Sequence, residues 1–178
     1  PITVAILLNE VRSKFASKLY QTLILLPYLM SMVVVSYLAY AFLSGDTGFI
    51  NNSILPMLGI EDKINFYSES KYWPFILIFV NQWKGLGFSM LLYLSCIIGI
   101  SPEYYEAAKI DGATKWQQIK NITLPCLKST VITMFILSIG KMFYSDFGLF
   151  YQVPRNSGLI YDVTQTIDTY VYNMLMNQ

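Results

Sequence analysis

The chain has 178 residues, 54% of them hydrophobic and 13% charged, with a net charge of +1 and no histidine. Globular domains carry about 25% charged residues, so the composition excludes an ordinary soluble domain. The near-neutral balance argues against a nucleic-acid partner, and the missing histidine weighs against an enzyme.

In chain order, residues 1–8 (PITVAILL) read as the last turns of an earlier membrane span. Residues 20–43 contain no charge and exceed the roughly 20 helical residues that cross a hydrocarbon core. Residues 73–100 form a second span interrupted only by Lys84. Residues 130–150 form a third, carrying Lys141 and Asp146. Those two lie roughly 140° apart on an ideal helix and need not pair. None of the three shows the polar face of a soluble amphipathic helix. The expected fold is all-α, a polytopic transmembrane bundle with about three full spans, residues 1–178 forming part of one membrane domain. The chain opens inside a helix and stops without a further span, so it reads as a fragment with helices missing at both ends.

Charge sets the expected orientation. Residues 9–19 hold Arg12, Lys14 and Lys18 against Glu10, and residues 101–129 hold Lys109, Lys115, Lys120 and Lys128. Residues 44–72 hold Asp46, Glu61, Asp62 and Glu69 against Lys63 and Lys71. The positive-inside rule puts the first two loops in the cytoplasm and the acidic loop outside. Turn formers fill that outer loop, with a short helix expected over residues 54–60. Cys96 and Cys126 have neither metal-ligand spacing nor a plausible extracellular pairing, and read as small core residues. Near the end, Asp162 and Gln165 suggest a cap and its partner. Val163, Ile167, Val171, Met174 and Leu175 then share one face of an amphipathic helix on the outer side, against lipid or other helices.

The polar stretch over residues 101–125 carries the most information. Ser101 suits an N-cap, Pro102 the first helical position and Glu103 the positive helix end. Glu106, Ala107 and Ala108 continue that helix with a thin, approachable surface. Gly112 stops it in a left-handed conformation. Thr114 and Gln117 form a capping box for a second helix, on which Trp116, Ile119 and Ile122 make an apolar stripe. Pro125 is expected to permit a turn and start the next span. Asp111 suits a local cap or salt bridge.

These residues spell Glu-Ala-Ala (106–108), Gly112, and Ile122-x-Leu124-Pro125. The pattern resembles the cytoplasmic EAA loop of ABC importer permeases. The form around Asp111 and Gly112 is similar to carbohydrate-type permeases. Residues 25–28 (LLPY) and 161–172 (YDVTQTIDTYVY) resemble a Gram-positive subgroup for oligosaccharide or polysaccharide uptake. The resemblance implies a multi-pass protein of the bacterial plasma membrane that couples solute uptake to an ATPase. Its knob-shaped loop, with Glu106, Asp111, Gly112, Ile122, Leu124 and Pro125, would seat in a groove on the ABC ATPase. Glu106 would pair there with a basic residue. The implied partners are ATPase subunits, a second permease subunit, an extracellular lipid-anchored solute-binding protein, an oligosaccharide and membrane lipid. ATP would bind on the ATPase, because no Gly-x-x-x-x-Gly-Lys-Ser/Thr sequence occurs here.

Substrate is expected near Asn81, Gln82, Trp83 and Lys84. Gly85 and Gly87 would permit a kink there, and ionisable residues at membrane depth face cavities or bundle interiors. The competing expectation is that Lys84 pairs structurally and Trp83 packs. A passive channel or an intramembrane enzyme is the other class of reading. A channel has no need of the 106–125 motif, and an enzyme would lack a nucleophile–base pair or ligand set.

Overall fold

Residues 20–43 do not form one helix. In the computed structural model, which describes residues 1–11 and 13–176, α1 (Ile2–Asn9) is followed by α2 (Lys14–Leu29) and α3 (Met32–Leu43). Ser31 stands between the latter two in extended conformation, and its hydroxyl accepts the N–H of Val34 at 3.3 Å. That bond opens a new helix, and hydropathy carries no trace of it. Lys14 and Lys18, expected in a loop, belong to α2. Arg12 lies outside the described residues.

After the short α4 (Leu55–Met57), α5 (Trp73–Ile98) runs for 26 residues without a break. The helix is not unwound over residues 81–87. Next come α6 (Pro102–Ile110), α7 (Lys115–Gln118) and α8 (Leu124–Lys141). The helical runs Ser70–Ile98 and Lys115–Lys141 are each long and apolar enough to cross a membrane. The α2–α3 pair makes a third candidate if taken as one broken span. The helical run that carries the third expected span therefore begins at Lys115 and ends at Lys141. Asp146 is outside it, capping α9 (Phe147–Gln152) by accepting the N–H of Leu149 at 3.1 Å. Every regular element among the described residues is helical.

The chain packs as two compact units. The first comprises Pro1–Tyr28 and Lys84–Phe143, the second Leu29–Trp83 and the chain from Tyr144. In the first, Ala5 and Leu8 of α1 meet Met90, Tyr93, Leu94 and Ile97 of α5 and Leu127 of α8. Lipid is as apolar as these side chains, so close packing and polar contacts hold the helices together. Cys96 Sγ lies 3.1 Å from Thr130 Oγ1, joining α5 to α8. Cys126, expected in a core, is exposed. Gly87 lets α5 approach the backbone of α2 closely. A Cβ built there would sit 2.4 Å from the Ile24 carbonyl oxygen.

In the second unit Val35, Trp73, Leu77, Val80, Leu149, Val153 and Ile160 form the core. Trp73 is fully buried and donates its indole N–H to the Phe66 carbonyl at 2.6 Å. Asn51 organises the acidic loop. Its buried amide donates to the carbonyls of Ser44 (3.0 Å) and Ile64 (2.8 Å) and accepts the Ile64 N–H at 2.9 Å. The expected short helix is a π turn over Ile50–Ile54 running into α4, and it closes at Gly59 with φ 77. The expected C-terminal helix is two pieces, α10 (Tyr161–Thr164) and α11 (Ile167–Met176). Asp162 does not cap it but accepts from Ser70 Oγ at 2.5 Å. The cap is instead Thr166, whose N–H reaches Thr169 Oγ1 at 2.8 Å while Thr169 N–H returns to Thr166 Oγ1 at 3.4 Å. Ile167, Val171, Met174 and Leu175 are exposed and Thr169 is buried, so α11 turns its apolar side outward.

Candidate functional site

Residues 101–125 build a two-armed loop within the first unit. Ser101 occupies the N-cap position of α6 but makes no side-chain bond, and Pro102 and Glu103 fill the first turn as expected. At the other end Gly112 has φ 78. Its N–H bonds the Lys109 carbonyl at 3.1 Å, and the Ala113 N–H bonds the Ala108 carbonyl at 2.8 Å. These are the paired bonds of a Schellman closure, which needs a left-handed residue at this point. Two residues on, Thr114 starts α7 with a complete capping box. Gln117 N–H reaches Thr114 Oγ1 at 3.4 Å, and Thr114 N–H reaches Gln117 Oε1 at 2.7 Å.

Two side-chain bonds fix the angle between the arms. Gln118 Nε2 donates to the Ala113 carbonyl at 3.1 Å, and Tyr105 OH lies 2.9 Å from Thr123 Oγ1. Lys115 Nζ bridges to Glu10 at 2.8 Å, which places the N-terminal loop beside the motif loop. Both were assigned to one side of the membrane by charge alone. A recess of about 480 Å³ lies there, lined by Asn9, Glu10, Tyr105, Lys109, Lys115 and Gln118.

The expected turn at Pro125 is absent. Helix α7, a π turn over Ile119–Thr123 and α8 form one continuous run, Lys115–Lys141. Proline offers no N–H, and its ring clashes with the carbonyl four residues back in a regular α-helix. The Leu124 N–H bonds Ile119 O, five residues back, and this wider turn admits the ring. The same device precedes Pro56, where Leu55 N–H bonds Ile50 O.

Glu106, Ala107, Asp111, Gly112 and Pro125 are exposed, Ala108 and Ile122 are half-buried, and Leu124 is 42% exposed. Asp111 is the C-cap of α6 and holds no ion pair among the described residues; neither does Glu106. Sequence reasoning did not single out Ile110, which is 88% exposed; Trp116, on the expected apolar stripe with Ile119 and Ile122, is 70% exposed. Two apolar side chains standing out of a polar stretch were the available signal. Together with the exposed charges of Glu106, Lys109, Asp111 and Lys115 they give the loop a mixed charged and apolar outer surface.

The four expected substrate residues do not converge. Asn81 and Gln82 are exposed, and Trp83 packs beside the core of the second unit. Lys84 donates to the Tyr28 carbonyl at 2.9 Å and approaches that of Pro27 at 3.5 Å. It stands over the C-terminal carbonyls of α2, where a cation is favoured. In the second unit, burial pushes the Tyr67 phenol up to about 12, against the opposing pull of Arg155.

Long apolar helices joined by a polar loop with exposed apolar side chains are the features of an integral membrane component. Residues 2–176 match the family described as binding-protein-dependent transport system inner membrane component, and the chain belongs to it. It is 38% identical over 178 residues to the polygalacturonan/rhamnogalacturonan transport system permease protein YteP of Bacillus subtilis (strain 168), covering 100% of this chain and 54% of that protein. It is 30% identical over 174 residues to the lactose transport system permease protein LacF of Rhizobium radiobacter, covering 97% and 57%. A solved bacterial ABC transporter involved in the import of the acidic polysaccharide alginate superposes with a TM-score of 0.89 at 36% identity, over 99% of this chain and 60% of that one. A second solved structure holds the alginate transporter in complex with an alginate pentasaccharide-bound periplasmic protein, with a TM-score of 0.88. The chain spans about half the length of the curated relatives it matches. YteP and LacF are named as transport permeases and not as enzymes.

Proposed function

We propose that this chain is part of the permease subunit of an ATP-driven importer of oligosaccharides. It would work with ABC ATPase subunits, a second permease subunit and an extracellular lipid-anchored solute-binding protein. The observation that carries the reading is the geometry of the 101–125 loop: a Schellman closure and a capping box, two residues apart, present Glu106, Ile110 and Trp116 outward. Closure of an ATPase dimer on ATP would push this surface. The push has a continuous helical path, because Lys115–Lys141 is one helical run. Alternating access follows if that displacement reorients the spans. ATP stays on the partner, and this chain makes no covalent change in the solute.

Two experiments test the reading. In the intact, full-length complex, Glu106→Arg reverses the charge offered to the ATPase. ATP hydrolysis stimulated by the loaded binding protein should fall roughly tenfold, as for loss of a charge-assisted contact, while membrane insertion persists. Wild-type stimulation in this variant would remove Glu106 from the coupling surface. The second experiment addresses topology. With Cys96 and Cys126 replaced, single cysteines at Ser53 or Ser68 should react with an impermeant reagent from outside intact cells. A cysteine at Thr114 should react only after the cells are opened. Labelling of Thr114 from outside would place the loop on the wrong side for ATP and end the importer reading.

A further inference from the structure

Arg155 holds a backbone conformation that side chains avoid, with φ 56, and Asn156 follows it with φ 48. The Arg155 N–H bonds the Gln152 carbonyl at 3.1 Å and the Asn156 N–H bonds the Tyr151 carbonyl at 3.1 Å. This is the helix closure seen at Gly112, with arginine where glycine is the ordinary choice. Glycine does occupy the two left-handed positions at 59 and 112. Glycine would be the less strained residue at 155, and strain held against an easy alternative points to a use for the side chain.

The guanidinium lies 4.2 Å from the ring centroid of Tyr40 and 5.7 Å from that of Tyr37. Among the described residues no carboxylate pairs with it. It borders a recess of about 220 Å³ whose lining includes Tyr37, Tyr151, Gln152 and Asn156, all within the second unit. One wall is fixed in place. Asn156 exchanges two 3.0 Å amide bonds with Asn173 and accepts from Tyr161 OH at 2.8 Å.

The geometry points to this recess as a subsite for the carboxylate of an acidic sugar residue. A guanidinium stacked on an aromatic face keeps its in-plane N–H edge available for bidentate pairing with a carboxylate. The Tyr37 ring suits the apolar face of a pyranose ring, and the Gln152 amide suits its hydroxyls. The recess has room for about one such ring. The subsite rests on the importer reading and narrows it, from oligosaccharides in general to those bearing uronate groups.

The test uses the full-length transporter assembled with its ATPase and binding protein in proteoliposomes. The probes are trigalacturonate and its neutral methyl ester. Arg155→Gly relieves the backbone strain, so its melting temperature should match or exceed that of the wild type. The ratio of acidic to neutral uptake should nevertheless fall roughly tenfold or more, as for loss of a charge-assisted hydrogen bond. Arg155→Lys, which keeps charge but not the planar fork, should fall between. An unchanged ratio in Arg155→Gly overturns the subsite. So does an equal loss of both saccharides with weaker retention of the binding protein, which would make an acidic protein surface the partner of Arg155. Failure of the wild type to take up either saccharide overturns the subsite alone, since the importer reading is tested separately by the Glu106 and topology experiments.

Discussion

Gly87→Val should drive α2 and α5 apart and leave little well-folded protein in detergent extracts. The new Cβ would lie 2.4 Å from Ile24 O, 2.7 Å from Leu25 Cα and 3.0 Å from Ile24 C. All three are backbone atoms, so no rotamer change relieves the overlap. The helices must separate, and two polar and aromatic contacts beside the glycine go with them. These are the 2.9 Å bond from Lys84 to the Tyr28 carbonyl and the Tyr28–Phe88 stack at 5.1 Å. Overpacking typically costs about 1–3 kcal/mol, and backbone-on-backbone contact belongs at the upper end. Gly85→Val is the control. A Cβ at Gly85 meets nothing within 4 Å, and valine is a slightly better helix former than glycine. Size-exclusion profiles and melting of the solubilised protein should collapse for Gly87→Val and hold for Gly85→Val. Equal behaviour of the two would mean that α2 and α5 do not meet at Gly87.

What was legible in the sequence was local chemistry. Gly112 and the Thr114–Gln117 pair bond within a few residues of themselves, so their spacing alone specified the closure and the cap that the structure contains. Span continuity was not legible, because it depends on distant partners. Asn81, Lys84 and Gly87 looked like a break in α5. Lys84 instead finds carbonyls at Pro27 and Tyr28, and Gly87 receives the backbone of Ile24. The reverse error occurred at Met30–Ser31, where an uncharged stretch looked continuous and a serine cap divides it. Pro125 was read as a turn that starts a new span, and a π turn carries one helical run past it. Asp146 shows the same limit, since hydropathy counted it into a span whereas its carboxylate opens α9. Arg155 left no sequence signal, because a left-handed closure without glycine looks like any other turn.

Gly112→Val should uncouple the protein without unfolding it. The glycine has φ 78 and a Cβ there meets nothing within 4 Å, so the damage is conformational rather than steric. A β-branched residue is strongly disfavoured in the left-handed region, at a cost of about 1–3 kcal/mol. The chain can avoid that cost by giving up the bonds from Gly112 N–H to Lys109 O and from Ala113 N–H to Ala108 O. Helix α6 would then fray toward Glu106, and Ile110 and Trp116 would lose their fixed separation. The spans lie outside this turn, so insertion and melting should stay near wild type. Stimulated ATP hydrolysis and uptake in the full-length complex should fall by roughly five- to a hundredfold, the range that this cost converts to. Gly112→Asn distinguishes conformation from mere substitution, because asparagine tolerates the left-handed region. It should retain most of the activity that valine loses. If valine and asparagine were equally active, the turn would not set the shape of the loop, and the proposed coupling path from Glu106 into Lys115–Lys141 would have to start elsewhere.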